Sequence, residues 1–191
     1  MSFFEIEIIL ASKSPRRAEI LESMGLKFRV VPSLADEVIR DDLTPAENAR
    51  VLAEAKALAV SSLHPGSFVL GADTLVVLGD EIIGKPRDKN HAIEILRLLS
   101  GKTHNVATGI AVALGDVVVG QTVVSQVTFH SLTDNQIADY VATGEPMDKA
   151  GAYAIQGLGK ALTAGYEGSW SNIVGLPVEE TRHLLNKAMS L

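Results

Sequence analysis

Two arginines follow a serine and a proline near the start of the chain, in the segment SKSPRR. Ser14 is a typical N-cap residue and Pro15 a typical first helical residue, so we predict that a helix begins there. Arg16 and Arg17 then fall in its first turn, where the partial positive charge of the free N–H groups disfavours cations. A phosphate would reverse that balance, because helix N-termini and guanidinium groups both bind it. The alternative is a solvated pair of arginines on an exposed turn. If the two arginines bind phosphate and add little to folding, Arg17→Ala should weaken turnover and leave thermal stability within a few degrees, as surface changes usually do.

A carboxylate that could act in catalysis stands in the segment GADT, directly after the apolar residues FVL. We predict a strand over 67–70 that ends before this segment, which would bring Asp73 to the mouth of a site. An acid in such a position can bind a metal ion or act as a general base. The residues alone are equally compatible with an aspartate that caps a turn.

A lysine and an acid occur together in GKPRD, residues 84–88, between a predicted hairpin and a predicted helix. On such a connection Lys85 could bind phosphate and Asp88 could bind a metal ion. Asp88 is also adequately explained as the N-cap of the helix that follows.

Lys56 is predicted to lie on a helix over 45–60, which opens with the capping-box pattern TPAE. It shares the apolar face of that helix with Ala49 and Leu52. It either extends along this face to water, which the residues alone favour, or meets a buried anion. Glu37, in the acidic loop PSLADEVIRDDL, is a candidate metal ligand, although most such loop acids are simply solvated.

These residues supply several cations and several separated carboxylates, with no covalent nucleophile. Such a set suits attack of water on a polyphosphate with the help of Mg²⁺. The 17 basic and 23 acidic side chains leave a net charge of −6, which argues against general nucleic-acid binding. The absence of cysteine excludes disulfides, thiolate catalysis and Cys-ligated zinc.

The order of predicted elements indicates an α/β fold, and the 191 residues suffice for one domain over 1–191. The predicted strands are 3–11, 27–32, 67–70, 75–78 and 81–83, then two or three within 104–130. The predicted helices are 15–24, 45–60, one from Asp88 to Gly101, one from Thr133 to Val141, and a C-terminal one near Pro177. No apolar run approaches the roughly 20 residues of a membrane span, and the start does not read as a signal peptide. We therefore expect a cytoplasmic protein with no membrane partner.

Seven segments occur in an order that resembles Maf proteins: LASKSPRR, ADEV, GADTLV, GKPRD, SGKTHNVATGIAV, DKAGAYAIQG and IVGLP. Maf proteins are nucleoside triphosphate pyrophosphatases of the ITPase-like (Maf/Ham1) superfamily. The resemblance implies an elongated mixed sheet flanked by helices, with two lobes around a cleft. It also implies hydrolysis of the α–β phosphoanhydride of a nucleotide, a divalent cation (Mg²⁺ or Mn²⁺) as cofactor, and a homodimer.

The resemblance further implies a role for individual residues. The catalytic residues that it implies are Asp73 as proton acceptor, with Glu37, Lys85 and Asp88. The metal ligands that it implies are Glu37, Asp73 and Asp88. The phosphate path that it implies runs along Ser14, Arg16, Arg17, Lys56 and Lys85. Base selection is implied at Thr74 and Gln156, together with Arg16.

Two subfamilies differ in the base that they accept. The one acting on dTTP and UTP has GADT, KPRD and a glutamine in IQG, as this chain does. The one acting on 7-methyl-GTP has an extra residue inside SPRR, a glutamine after the GADT aspartate and a glutamate in place of the IQG glutamine. An amide both donates and accepts, which suits uracil and thymine, whereas a carboxylate suits the adjacent N–H donors of guanine. The resemblance thus favours dTTP and UTP; the alternatives are a pyrophosphatase for modified purine nucleotides and a non-catalytic, nucleotide-sensing regulator of division.

Overall fold

The computed structural model describes residues 6–190, and its centre is one mixed sheet of seven strands. The strands are β1 (Ile8–Leu10), β2 (Phe28–Val30), β3 (Val69–Leu78), β4 (Glu81–Ile83), β5 (Thr103–Leu114), β6 (Val117–Phe129) and β7 (Thr163–Glu167). Their order across the sheet is β2-β1-β3-β5-β6-β7, and β4 also pairs with β3. β1 is parallel to β2 and β3, and the other pairs are antiparallel. The predicted mixed α/β architecture is confirmed, although the part of the first predicted strand before residue 6 lies outside the described residues.

Helices flank this sheet. They are α1 (Pro15–Ser23), α2 (Pro45–Ser61), α3 (Lys89–Leu99), α4 (Asp134–Ala142), α5 (Trp170–Val174) and α6 (Val178–Ala188), and 3₁₀ turns cover Glu145–Asp148, Ala150–Ala152 and Gly157–Leu162. Capping boxes begin two of the helices, with Thr44 and Glu47 at α2 and Thr133 and Gln136 at α4. Within residues 6–190 no helix combines the length and apolar character needed to cross a membrane.

The segment GADT lies inside β3, so the prediction of a strand that ends before it is wrong. Glycine and aspartate are poor strand formers, but nine consecutive pairs with β5 hold this stretch extended. Gly71 is also needed for packing, because a Cβ there would stand 2.3 Å from the carbonyl oxygen of Ala53 in α2. Tertiary pairing and packing therefore override the local preference.

The edge of β3 that faces away from β5 has a gap in its pairing. β1 pairs only with Val69 and Leu70, and β4 pairs only from Val76 onward. Residues 71–75 therefore have a described neighbouring strand on one side alone. Asp73 lies in the middle of this gap and lines a cleft, although the residue is largely buried.

Side chains alternate between the two faces of β3. Val69 and Leu75 pack against α2 on one face. On the other face, Leu70 belongs to a cluster with α1 and α6, and Val76 belongs to a second cluster with α3 and α4. Thr74 lies between these two clusters along the strand.

A buried histidine lies in the second of these clusters, on β5. His104 is 2% exposed, and its Nε2 lies 2.8 Å from the hydroxyl oxygen of Tyr153. Its ring also makes edge contacts with Phe129 and Tyr153. Its Nδ1 finds no hydrogen-bond partner among residues 6–190, and burial lowers the pKa of His104 from 6.5 to about 4.

This histidine is expected to make the fold sensitive to mild acid. Below pH 6.5 His104 is protonated in the unfolded chain but stays neutral in the folded chain. The free energy of unfolding therefore falls as the pH drops towards 4, and below that pH the contribution of His104 no longer changes. The loss attributable to His104 is on the order of 3 kcal/mol. Urea unfolding between pH 4 and 7 should show a shallower pH slope for His104→Gln than for the wild type and for the exposed control His130→Gln. Equal slopes in all three proteins would contradict this origin.

Candidate active site

A cleft of about 710 Å³ opens at the gap beside β3. Its walls come from the β1–α1 junction, β3, the connection after β4, the segment 148–156 and the end of α5. This volume is typical of sites for small molecules. Of the residues singled out from the sequence, the cleft is lined by Ser14, Arg16, Arg17, Glu37, Lys56, Asp73, Thr74, Lys85 and Gln156.

The lining of the cleft is basic although the chain is acidic. Its basic side chains are Lys13, Arg16, Arg17, Lys56, Lys85 and Lys149, and its acidic ones are Glu37, Asp73 and Asp148. The formal net charge of the whole chain is −6. A local excess of positive charge in a concave site attracts and holds anions.

Lys56 joins two carboxylates on the α2 side of the cleft. Its ammonium group donates to Glu37 Oε1 at 2.6 Å and also to Asp73 Oδ1. Only 12% of the Lys56 side chain is exposed, so its extension to water is ruled out and the alternative of a buried anion is confirmed. The hydrogen bond from Lys56 holds the pKa of Glu37 below its ordinary value, and the charges of Lys85 and Arg17 act in the same direction.

The N-terminus of α1 forms another wall. Pro15 occupies the first helical turn as predicted, and Ser14 has the extended backbone of an N-cap. The Ser14 side chain makes no capping hydrogen bond, so it does not use the N–H groups of the first turn. Free N–H groups at this end of a helix bind anions.

Arg17 is tied into the protein. Its Nε donates to the carbonyl oxygen of Gly175 at 2.9 Å, and its two terminal nitrogens donate to Ser12 Oγ at 3.0 Å and Thr74 Oγ1 at 3.1 Å. Thr74 Oγ1 in turn lies 3.0 Å from Thr108 Oγ1. The Arg17 guanidinium therefore connects the segments SKSPRR, GADT and VGLP. Its partner in the last of these, Gly175, is 158 residues away in the sequence.

A family model described as Maf-like protein matches residues 7–188 of this chain. The chain belongs to the Maf family. Relatives named dTTP/UTP pyrophosphatase are similar over nearly the full length. The Moorella thermoacetica protein is 48% identical over 184 residues (94% of this chain, 93% of that one), and the Koribacter versatilis protein is 43% identical over 181 residues (95% and 94%). A solved structure of a HAM1 protein from Coxiella burnetii is 15% identical, covers 97% of this chain and 98% of that one, and has a TM-score of 0.49.

The contacts of Arg17 in this Maf protein contradict the premise that it is a surface residue with little effect on folding. Arg17→Ala removes the donor to the Gly175 carbonyl oxygen and to Thr74 Oγ1, and leaves Ser12 Oγ with only the Ser14 N–H as donor, at a total cost of about 1–3 kcal/mol. For a chain of this size the melting temperature should fall by about 2–12 °C. Arg16→Ala is the matched control, since it removes a cation of the cleft and none of these three bonds. Differential scanning calorimetry that finds equal melting temperatures for the two variants would contradict the structural role.

Asp88 is the predicted site residue that the structure does not bring to the Maf cleft. Its exposed carboxylate accepts a hydrogen bond from the His91 N–H at 2.8 Å and caps α3. The capping interpretation of Asp88 therefore accounts for its position. Lys85, on the same connection, does line the cleft, and its charge contributes to the lowered pKa of Glu37.

Asp148 and Lys149 are charged residues of the cleft that were not predicted individually, although the segment DKAG was part of the Maf resemblance. Lys149 donates to Asp148 Oδ1 at 2.5 Å and to the carbonyl oxygen of Glu145 at 2.7 Å. The hydrogen bond from Lys149 lowers the pKa of Asp148, and the charge of Arg16 acts in the same direction. Arg16 and Asp148 thus influence each other across the cleft, although they are far apart in the sequence. No local pattern in the sequence signals this proximity.

Proposed function

We propose that this Maf protein hydrolyses UTP and dTTP between the α- and β-phosphates, releasing the monophosphate and pyrophosphate. One observation carries the proposal: Lys56 holds Asp73 and Glu37 together in a cleft whose charged side chains are mostly cations. The names of relatives at 43–48% identity support the choice of substrates.

The triphosphate would bind along the basic side of the cleft. Ser14, Arg16 and the uncapped first turn of α1 offer an oxyanion site, because guanidinium and backbone N–H groups both donate to phosphate. Lys85 would extend this path. Arg17 would contribute charge, although three of its N–H groups are already bonded within the protein.

Asp73 would act as the general base. In the proposed reaction it accepts a proton from water while the water oxygen forms a bond to the α-phosphorus. The bond from that phosphorus to the bridging oxygen breaks, and pyrophosphate leaves with the electron pair. Lys56 supports this role by fixing Asp73 Oδ1, which leaves Oδ2 to take the proton.

A divalent cation, Mg²⁺ or Mn²⁺, is part of the proposal, and Glu37 and Asp73 would hold it. The two carboxylates meet at a single ammonium group, and Mg²⁺ is usually bound through one or two carboxylates together with substrate phosphates. When bound, such a cation neutralises phosphate charge and makes water more acidic. The capping role of Asp88 leaves it out of this set.

The base would be read at the end of the cleft that carries Gln156, a half-buried residue in its lining. An amide rather than a carboxylate at this position argues against modified purine nucleotides such as 7-methyl-GTP. The group formed by Asp73, Lys56 and Glu37 argues against a regulator without catalysis. The homodimer and the cytoplasmic location expected from the sequence stay predictions.

A nucleotide panel tests this function. The purified protein is assayed with Mg²⁺ for pyrophosphate release from UTP, dTTP, CTP, GTP and 7-methyl-GTP. The expected result is that UTP and dTTP have the largest kcat/KM values. A preference for 7-methyl-GTP would favour the purine alternative, and tight nucleotide binding without turnover would favour the regulator.

A further inference from the structure

The segment that carries Gln156, residues 154–159, is held on both sides by two side chains that do not line the cleft. Tyr140 lies in the last turn of α4, and Glu145 begins the first 3₁₀ turn after it. Tyr140 is 5% exposed and Glu145 is half-buried. Neither residue is among those described as lining the cleft.

Three backbone N–H groups of the segment donate to these two side chains. The Ala154 N–H donates to the Tyr140 hydroxyl oxygen at 3.2 Å. The Leu158 N–H donates to Glu145 Oε1 at 3.2 Å, and the Gly159 N–H donates to Glu145 Oε2 at 2.9 Å. The Tyr140 hydroxyl is also close enough to the Glu145 carboxylate to lower the pKa of that group. The two side chains thus form one unit, the Tyr140–Glu145 clasp, which holds the segment before and after its glutamine.

The backbone packs closely against this clasp. A Cβ on Gly157 would stand 2.4 Å from Glu145 Oε1, and a Cβ on Gly159 would stand 2.7 Å from the Tyr140 hydroxyl oxygen. Gly157 also has a φ of +72°, which glycine adopts without strain. The two glycines of QGLG therefore let the backbone come within hydrogen-bond distance of the clasp.

The carboxylate of Glu145 is suited to this contact in a way that an amide is not. Burial opposes its charge, but the nearby Tyr140 hydroxyl and the hydrogen bonds from the Leu158 and Gly159 N–H groups outweigh that effect and hold the pKa of Glu145 below its ordinary value. Two carboxylate oxygens can accept from two backbone N–H groups at once. A glutamine at this position would offer one oxygen and would turn its own N–H₂ group towards the second donor.

We propose that Tyr140 and Glu145 are positioning residues for base selection, because they hold the backbone on both sides of Gln156 and so fix where its amide meets the base. The inference rests on the proposed function, in which Gln156 reads uracil or thymine. A Gln156 amide that is held in one position discriminates between bases better than a mobile one, because the segment cannot move to relieve a mismatched hydrogen bond.

The test compares Tyr140→Phe and Glu145→Gln with two controls on the exposed strand β7, Tyr166→Phe and Glu167→Gln. Each protein is assayed well below its melting temperature for kcat/KM with UTP and CTP, and for the inhibition constant of inorganic tripolyphosphate, which has no base. Both clasp variants should lower the UTP-to-CTP ratio by about 5-fold or more. The tripolyphosphate constant should stay within about 2-fold, and both controls should keep the wild-type ratio.

An unchanged UTP-to-CTP ratio in both clasp variants would overturn the inference and leave the proposed function standing. A parallel loss for both nucleotides with weaker tripolyphosphate inhibition would also overturn it, since that pattern marks a general disturbance of the site. Tyr140→Phe keeps the ring and its packing, so it provides the decisive ratio if Glu145→Gln is poorly folded. A wild-type protein with no preference for UTP over CTP would instead contradict the proposed function itself.

Discussion

Asp73→Asn is expected to lower kcat for UTP hydrolysis by about 100- to 10,000-fold, the contribution typical of a general base. Asparagine keeps the shape of the side chain, and its Oδ1 can still accept the hydrogen bond from Lys56. It has neither the charge nor the basicity to take a proton from water. The measurement is steady-state kcat and KM for UTP with Mg²⁺ in the wild type and the variant.

Asp41→Asn is the matched control for this substitution, because it makes the same chemical change at an exposed loop position. It should leave turnover unchanged. The Asp73 variant should also remain folded, since Lys56 keeps its ion pair with Glu37 and is not left as an isolated charge. Near-normal turnover in a folded Asp73→Asn protein would show that another group accepts the proton.

Gln156→Glu is expected to lower kcat/KM for UTP and dTTP by about 5- to 150-fold, the effect of one lost or mismatched buried hydrogen bond. A carboxylate only accepts hydrogen bonds when ionised, so it would face a base carbonyl in a contact from which water is excluded. Activity towards GTP need not appear, because Arg16 and Thr74 would still shape the cleft around a pyrimidine. The measurement is kcat/KM for UTP, dTTP, CTP and GTP.

Gln136→Glu controls for the charge change at an exposed position that is not part of the cleft lining. It lies in the capping box of α4, where glutamate serves as well as glutamine, and kinetics should be unaffected. If Gln156→Glu lowers kcat/KM equally for all four nucleotides, the residue acts on the phosphates or the fold and does not read the base.

The helices were predictable where their signals are local. Thr44 and Glu47 satisfy each other at the start of α2, and Thr133 and Gln136 do so at the start of α4. Such capping pairs are three residues apart, so the sequence displays the whole interaction. The turn at Gly79 was predictable for the same reason, since its φ of 63° is one that glycine favours.

The course of β3 was not predictable from local pattern, because GADT contains two poor strand formers and its extension depends on pairing with β5. The ion pair between Lys56 and Asp73 was not predictable from local pattern either. The sequence showed a lysine on an apolar helix face, but only the approach of α2 to β3 brings an acid to it. The sequence therefore identified the chemical groups of the candidate site better than their contacts.

The role of Arg17 in the fold also depended on distant partners. First-turn arginines look solvent-exposed from the sequence, whereas Gly175 and Thr74 reach Arg17 only once α5 and β3 are in place. The short elements β7 and α5 were not predicted either. β7 is held by its pairing with β6, and α5 by a Ser169 cap on a helix of only five residues.

Product analysis of UTP hydrolysis tests the proposed reaction most directly. Purified protein is incubated with UTP and Mg²⁺, and the products are separated by anion-exchange chromatography, with Asp73→Asn and a chelator-treated sample run in parallel. The expected result is UMP and pyrophosphate in equal amounts from the wild type, with almost none from the other two samples. Release of UDP and phosphate, or undiminished formation of UMP in the Asp73→Asn sample, would contradict α–β cleavage with Asp73 as the base.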